Sequence, residues 1–212
     1  MNLKNKKIAF LGDSITEGVG AKNLHGYVDY FFELTGADCK NFGISGTRLA
    51  RQKTPTVDNP SYDLDFCTRA REITGDFDYF VVFGGTNDFG HGDADFGTFA
   101  DRTPDTFCGA VHTLFETLTK MHPESEIVVI TPICRTDDDE IAAIKGRNLE
   151  SYVSVIKEAA KLYKLPVLNL FKSEQPPYNP IIDASLLADG LHPNDEGHKV
   201  IAEHIIDFLN TI

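Results

Sequence analysis

The residues best suited to chemistry are a serine near one end of the chain and an acid–histidine pair near the other. Ser14 stands in Gly12-Asp13-Ser14-Ile15, and Asp189 and His192 bracket Asp189-Gly190-Leu191-His192. A serine hydroxyl is a weak nucleophile at neutral pH; it needs an imidazole to take its proton, and the imidazole needs a carboxylate to fix its tautomer. One turn of chain separates Asp189 from His192, so their side chains can meet without a further element to bring them together. The set reads as a nucleophile, Ser14, a general base, His192, and an orienting carboxylate, Asp189. Its natural chemistry is ester hydrolysis.

Acyl transfer also demands donors aimed at the negative oxygen that develops when the serine attacks a carbonyl. Two segments can supply them. Asn41-Phe42-Gly43-Ile44-Ser45-Gly46-Thr47 offers a glycine whose bare backbone can approach a substrate closely. Gly84-Gly85-Thr86-Asn87-Asp88 offers a side-chain amide.

These residues need a frame that brings them to one edge. Short apolar runs at Lys7 to Leu11, Cys39 to Ile44, Tyr79 to Phe83, Ile127 to Ile130 and Val167 to Leu170 predict five strands, and their character predicts buried parallel ones. Helical spacing runs through Tyr27 to Leu34, Leu64 to Ile73, Thr106 to Met121, Arg147 to Tyr163 and about Asn194 to Leu209. Alternating strand and helix imply an α/β fold: a three-layer α/β/α sandwich around a five-stranded parallel sheet in the flavodoxin-like order 2-1-3-4-5. Ligands bind such sheets outside the carboxyl ends of the strands, where the order reverses between the first and third. Ser14 follows the first strand and Asn87 the third.

The 212 residues suit one domain spanning 1–212, and 42% hydrophobic with 25% charged residues is ordinary for a globular protein. With 20 basic against 32 acidic residues the net charge is −12, which disfavours nucleic acid and anionic membranes as partners. The apolar stretch Ile8 to Leu11 is too short for a signal peptide, and no segment approaches the length of a membrane span, so a cytoplasmic location is expected. Cys39, Cys67, Cys108 and Cys134 are widely spaced, as free thiols would be. The acidic run Asp137 to Glu140 reads as a solvated helix start, and neither metal nor cofactor is expected. Segments 51–63, 90–104 and 172–185 break the alternation and read as surface loops, either pocket walls or inert insertions.

Taken one at a time, the motifs have plainer explanations. Ser14 could cap a helix starting near Ile15, Gly46 and Gly85 could serve turns, Asn87 could be a left-handed turn residue, and His192 could simply precede a helix. Their joint occurrence, in order and at strand ends, overturns those explanations. In four blocks, Gly12-Asp13-Ser14-Ile15, Gly46, Gly85-Thr86-Asn87-Asp88 and Asp189 to His192, the chain resembles the SGNH hydrolases, the GDSL-type esterase and lipase family. Ile15 stands where the eponymous motif has leucine, an apolar swap of similar volume. The resemblance implies the flavodoxin-like sandwich, no cofactor, a small-molecule ester substrate, and an oxyanion hole built from the Ser14 N–H, the Gly46 N–H and the Asn87 amide. Asp13, Phe89, His91 and Arg135 are further candidates for lining the pocket.

Rival readings fare worse. An aspartyl-phosphate enzyme using Asp13 would want an acid at position 15, and an α/β-hydrolase would want G-x-S-x-G around its serine. Nucleotide-binding fingerprints are lacking. The remaining alternative is a non-catalytic ligand-binding or interaction protein that kept the sandwich. Retention of every catalytic side-chain type argues against it. Small acyl esters, such as acetylated sugars, are the expected substrates, since no lipid-docking segment is recognisable.

Overall fold

The computed structural model describes residues 3–212. Five parallel strands, β1 (Lys7–Gly12), β2 (Asp38–Gly43), β3 (Tyr79–Phe83), β4 (Glu126–Ile130) and β5 (Val167–Leu168), form one sheet in the order β2-β1-β3-β4-β5. The expected α/β class and strand order are therefore observed.

Alternation along the central strands builds two cores. Ala9 and Leu11 of β1, Phe80 and Val82 of β3, and Ile127 and Val129 of β4 face one side. There they meet α3 (Phe66–Glu72), α5 (Phe107–Met121) and α7 (Leu149–Tyr163) through Phe66, Leu114, Phe115 and Ile156. Ile8, Phe10, Val81, Phe83, Val128 and Ile130 face the other side. They pack on Tyr27 and Phe31 of α2 (Tyr27–Thr35) and on Ile201 and Ile205 of α8 (Asp195–Leu209). Because side chains alternate with period two, a strand buried on both faces must be apolar throughout, which is the composition of β1, β3 and β4. Each fully buried Phe or Ile here stabilises the fold by about 1.5–3 kcal/mol.

The helix starts follow their capping residues. Asp65, Thr106, Asn148 and Asn194 each accept a backbone N–H from the first turn of α3, α5, α7 and α8. These caps explain why α3 and α7 begin two residues later than periodicity predicts.

Two strand expectations need correction. β2 is not buried: it is an edge strand, and most of its residues remain at least partly exposed. β5 ends at Leu168 rather than Leu170, because the Thr131 hydroxyl takes the Leu170 and Phe171 N–H groups at 3.0 and 3.2 Å. Three further helices are present: α1 (Ser14–Glu17) and α4 (Thr86–Gly90), both short, and α6 (Asp138–Lys145), which starts at the acidic run as expected. Among the described residues, no helix is long and apolar enough to cross a membrane. All four cysteines are free.

Candidate active site

β1 stops at Gly12 and the chain turns at once into α1. Asp13 caps this turn, its Oδ1 accepting the Ile15 N–H at 3.0 Å, so that Ser14 becomes the first helical residue at the carboxyl end of β1. The turn is possible because two strand-ending glycines lie against it. A Cβ on Gly12 would collide with the Thr16 hydroxyl, and one on Gly43 with the Glu17 backbone.

Sequence-distant Asp189 and His192 arrive beside Ser14 on a turn ahead of α8. Gly190 adopts a left-handed φ of 87°, and its carbonyl takes the Thr136 N–H at 2.9 Å, tying the turn to the chain beyond β4. Asp189 Oδ1 accepts the N–H groups of Leu191 and His192 at 3.0 and 2.8 Å, leaving Oδ2 to meet His192 Nδ1 at 2.7 Å. His192 Nε2 then lies 2.9 Å from Ser14 Oγ. A carboxylate only accepts, so Nδ1 carries the proton and Nε2 is free to take one from the hydroxyl. Partial burial pushes the Asp189 carboxyl upward, but its bonds to the His192 N–H and imidazole and to the Leu191 N–H outweigh it and hold the group below the usual aspartate value.

The donor segments converge on the same sheet edge. Gly46 takes a left-handed φ of 74°, and a Cβ there would strike the Tyr62 ring. Ser45 is anchored to α1 through the Glu17 carboxylate, which accepts its N–H at 2.8 Å and also its hydroxyl. Asn87, on α4, is 3% exposed and donates from Nδ2 to the Thr47 carbonyl at 3.0 Å. One amide hydrogen remains. Among the described residues no turn or side-chain acceptor meets the Ser14 or Gly46 N–H.

Buried charges stitch these segments together. Asp88 accepts the Leu49 and Ala50 N–H groups at 2.9 Å each, fastening the Gly46 segment to α4. Burial pushes its carboxyl up to about 7 against the pull of those N–H bonds and Arg48. Arg69 binds the Gly12 carbonyl at 3.0 Å, the Thr47 hydroxyl at 2.9 Å and the Phe42 carbonyl, joining the ends of β1 and β2. Burial lowers this guanidinium to about 10, opposed first by Asp13. Asp13 in turn is raised to about 6 by burial, with the Ile15 N–H, His192 and Arg69 pulling it back.

A model of the GDSL-like Lipase/Acylhydrolase family matches residues 10–200, a span containing Ser14, Gly46, Asn87, Asp189 and His192. The chain belongs to that family. Membership makes it, at the level of the family, an ester-hydrolysing enzyme. Similar solved structures include a Lactobacillus plantarum protein, 29% identical with a TM-score of 0.82 over 98% of both chains. A candidate GDSL-like lipase from Bacteroides uniformis is 20% identical with a TM-score of 0.72, over 98% of this chain and 97% of its own. Est24, a carbohydrate acetylesterase from Sinorhizobium meliloti, is 14% identical with a TM-score of 0.64, over 97% of this chain and 99% of its own. The last two share the fold. No curated protein matches the chain.

Within this GDSL-family chain, three of the four residues expected to line the pocket are engaged elsewhere. Phe89 is fully buried and packs edge-on against Tyr152, so it belongs to the core. Asp13 is consumed as the α1 cap and is 2% exposed. Arg135 is a strut: it grips Asp137 with two nitrogens, reaches the Thr86 carbonyl at 3.3 Å and lies over the Phe89 ring. His91 is exposed as a residue, yet both ring nitrogens are engaged, Nδ1 with Arg48 and Nε2 with Asn87. Sequence reasoning missed Arg48, Tyr62 and Arg69. The available signal was two arginines falling where the surrounding pattern is buried.

The three loops part ways. Segment 51–63 brings Tyr62 against Gly46, and segment 90–104 brings His91 to Asn87. Segment 172–185 instead borders a concavity of about 560 Å³ lined by Lys157, Asn169, Lys172 and Tyr178. A second, of about 380 Å³, lies beside β2 at Phe42, Ile44 and Ile73. Neither contains a triad side chain. Among the described residues no group of three or more His, Cys, Asp or Glu is arranged to hold a metal ion.

Proposed function

We propose that the protein is a serine esterase in which Ser14 is the nucleophile, His192 the general base and Asp189 its orienting carboxylate. The observation that carries this reading is the unbroken hydrogen-bond relay from Asp189 Oδ2 through His192 to Ser14 Oγ, at 2.7 and 2.9 Å. In the first step Ser14 Oγ attacks the ester carbonyl carbon while His192 Nε2 takes the hydroxyl proton. The Ser14 and Gly46 N–H groups and the Asn87 amide receive the oxyanion. The tetrahedral intermediate collapses, His192 returns the proton to the departing alcohol, and the acyl group stays on Ser14. Water, deprotonated by His192, then attacks the acyl carbon, the bond to Ser14 Oγ breaks, His192 returns the proton to Oγ, and the acid leaves.

Small acyl groups suit this site. The Tyr62 ring already fills the space over Gly46, and the polar His91–Arg48 pair backs Asn87, which leaves little room beside the expected oxyanion donors. The carbohydrate acetylesterase among the structural relatives is consistent with acetyl esters, at an identity that speaks for the fold alone. The test is hydrolysis of acetyl through dodecanoyl chromogenic esters by the wild type and by Ser14→Ala. Ser14-dependent turnover falling with acyl length is expected; turnover that persists in Ser14→Ala removes the nucleophile assignment.

A further inference from the structure

Asn87 can serve an oxyanion only if its carboxamide presents nitrogen, and the two ends of an amide are nearly isosteric. Two contacts choose between them. Nδ2 donates to the Thr47 carbonyl at 3.0 Å, and Oδ1 lies 3.1 Å from His91 Nε2. The second contact holds the amide only if His91 carries its proton on Nε2. The opposite nitrogen decides this. Nδ1 stands 2.8 Å from Arg48 Nη2, and a guanidinium can only donate, so Nδ1 accepts and Nε2 bears the hydrogen. Arg48 is itself fixed, buried and directed at the Tyr62 carbonyl at 3.3 Å and the Asp63 carboxylate at 3.5 Å.

We propose that His91 is a positioning residue for acyl transfer, locked by Arg48 so that it holds the Asn87 carboxamide with its nitrogen toward the oxyanion. The proposal rests on the Ser14 reading above. Donors run one way along the chain, from Arg48 to His91 to Asn87 to the substrate oxygen, and reversing any link places donor against donor or acceptor against acceptor. The ring must also stay neutral, because a proton on Nδ1 would face the guanidinium. Although the residue as a whole is exposed, its ring is partly withdrawn from water, and this desolvation, followed by the charges of Arg48, Arg135 and Lys145, lowers the imidazole to about 4. The neighbouring carboxylates are turned to other partners: Asp63 to Thr56 and Arg48, Asp88 to Leu49 and Ala50, and Asp93 to Lys53 and Thr54.

The test compares wild type, His91→Ala, His91→Gln, Asn87→Ala and the His91→Ala/Asn87→Ala double variant on p-nitrophenyl acetate, each checked for folding by thermal melting. His91→Ala is expected to lower kcat by up to about 10²-fold, the cost of a small misplacement, with KM within about threefold. In the Asn87→Ala background the same change should cost nothing further. Gln can donate to Asn87 and accept from Arg48, so His91→Gln should recover most of the loss. An equal loss on both backgrounds overturns the proposal. Ring ¹⁵N NMR supplies a readout that needs no turnover: His91 should show the Nε2–H tautomer and remain neutral at pH 5. An Nδ1–H tautomer overturns the proposal whatever the kinetics. Should no ester be hydrolysed in a Ser14-dependent way, the esterase reading falls, and the NMR result still decides whether the ring is locked.

Discussion

Two histidines stand at the same edge of the sheet, and they are wired in opposite senses. His192 has a carboxylate on Nδ1 and a hydroxyl at Nε2. His91 has a guanidinium on Nδ1 and a carboxamide oxygen at Nε2. In each case the group behind the ring fixes the tautomer, and the sign of its charge fixes what the ring can then do. An acceptor behind His192 leaves Nε2 open to receive a proton. A donor behind His91 puts hydrogen on Nε2 and disfavours any second proton. One ring suits proton transfer and the other suits holding a neighbour still.

The contrast breaks most severely at the carboxylate. Asp189→Asn presents a nitrogen or a weaker acceptor to His192 Nδ1 and releases the tautomer, so kcat on an acetyl ester is expected to fall by about 10⁴-fold. Turnover within tenfold of wild type, in a variant that melts normally, would leave Asp189 without its assigned part. At the other histidine's station the expected loss is smaller. Asn87→Ala removes a single oxyanion donor and should cost about 10²- to 10³-fold in kcat. Undiminished turnover in the folded variant would dismiss Asn87 as a donor and leave the Arg48–His91–Asn87 line a purely structural one.

Much of this arrangement was legible in the chain. The strands that matter most, β1, β3 and β4, are apolar on both faces and bounded by Gly or polar residues, so their place could be read from the apolar runs and their order from the alternation of strand and helix. Asp189 and His192 were legible as a pair because three residues of separation place them on one turn. The Arg48–His91 contact was not legible, since it joins residues 43 positions apart through a meeting of two irregular segments. Phe89 misled for a related reason. Following Asn87 in sequence suggested proximity to the pocket, but α4 is helical, and a helix turns successive side chains to different faces. Asn87 faces Thr47, while Phe89 faces the Tyr152 side of the core.

A smaller but more discriminating effect concerns stability against pH. The His91 imidazole is held at about 4 in the folded protein, against an ordinary value near 6.5. Between those values the unfolded chain binds a proton at this position that the native state refuses, so unfolding takes up protons and stability rises with pH. The His91 contribution is therefore complete above about pH 6.5 and is lost progressively as pH falls toward 4. Burial lowers His112, His122 and His198 in the same direction, whereas the raised Asp13 and Asp88 act in the opposite one. The total pH profile thus says little about any one residue, but the difference between two proteins does. Melting temperature measured from pH 4 to pH 7 should fall less steeply toward acid in His91→Gln than in the wild type, because Gln cannot titrate. Parallel curves would mean that His91 gains its proton as readily in the fold as out of it, and the opposition between the two histidines would lose its electrostatic basis.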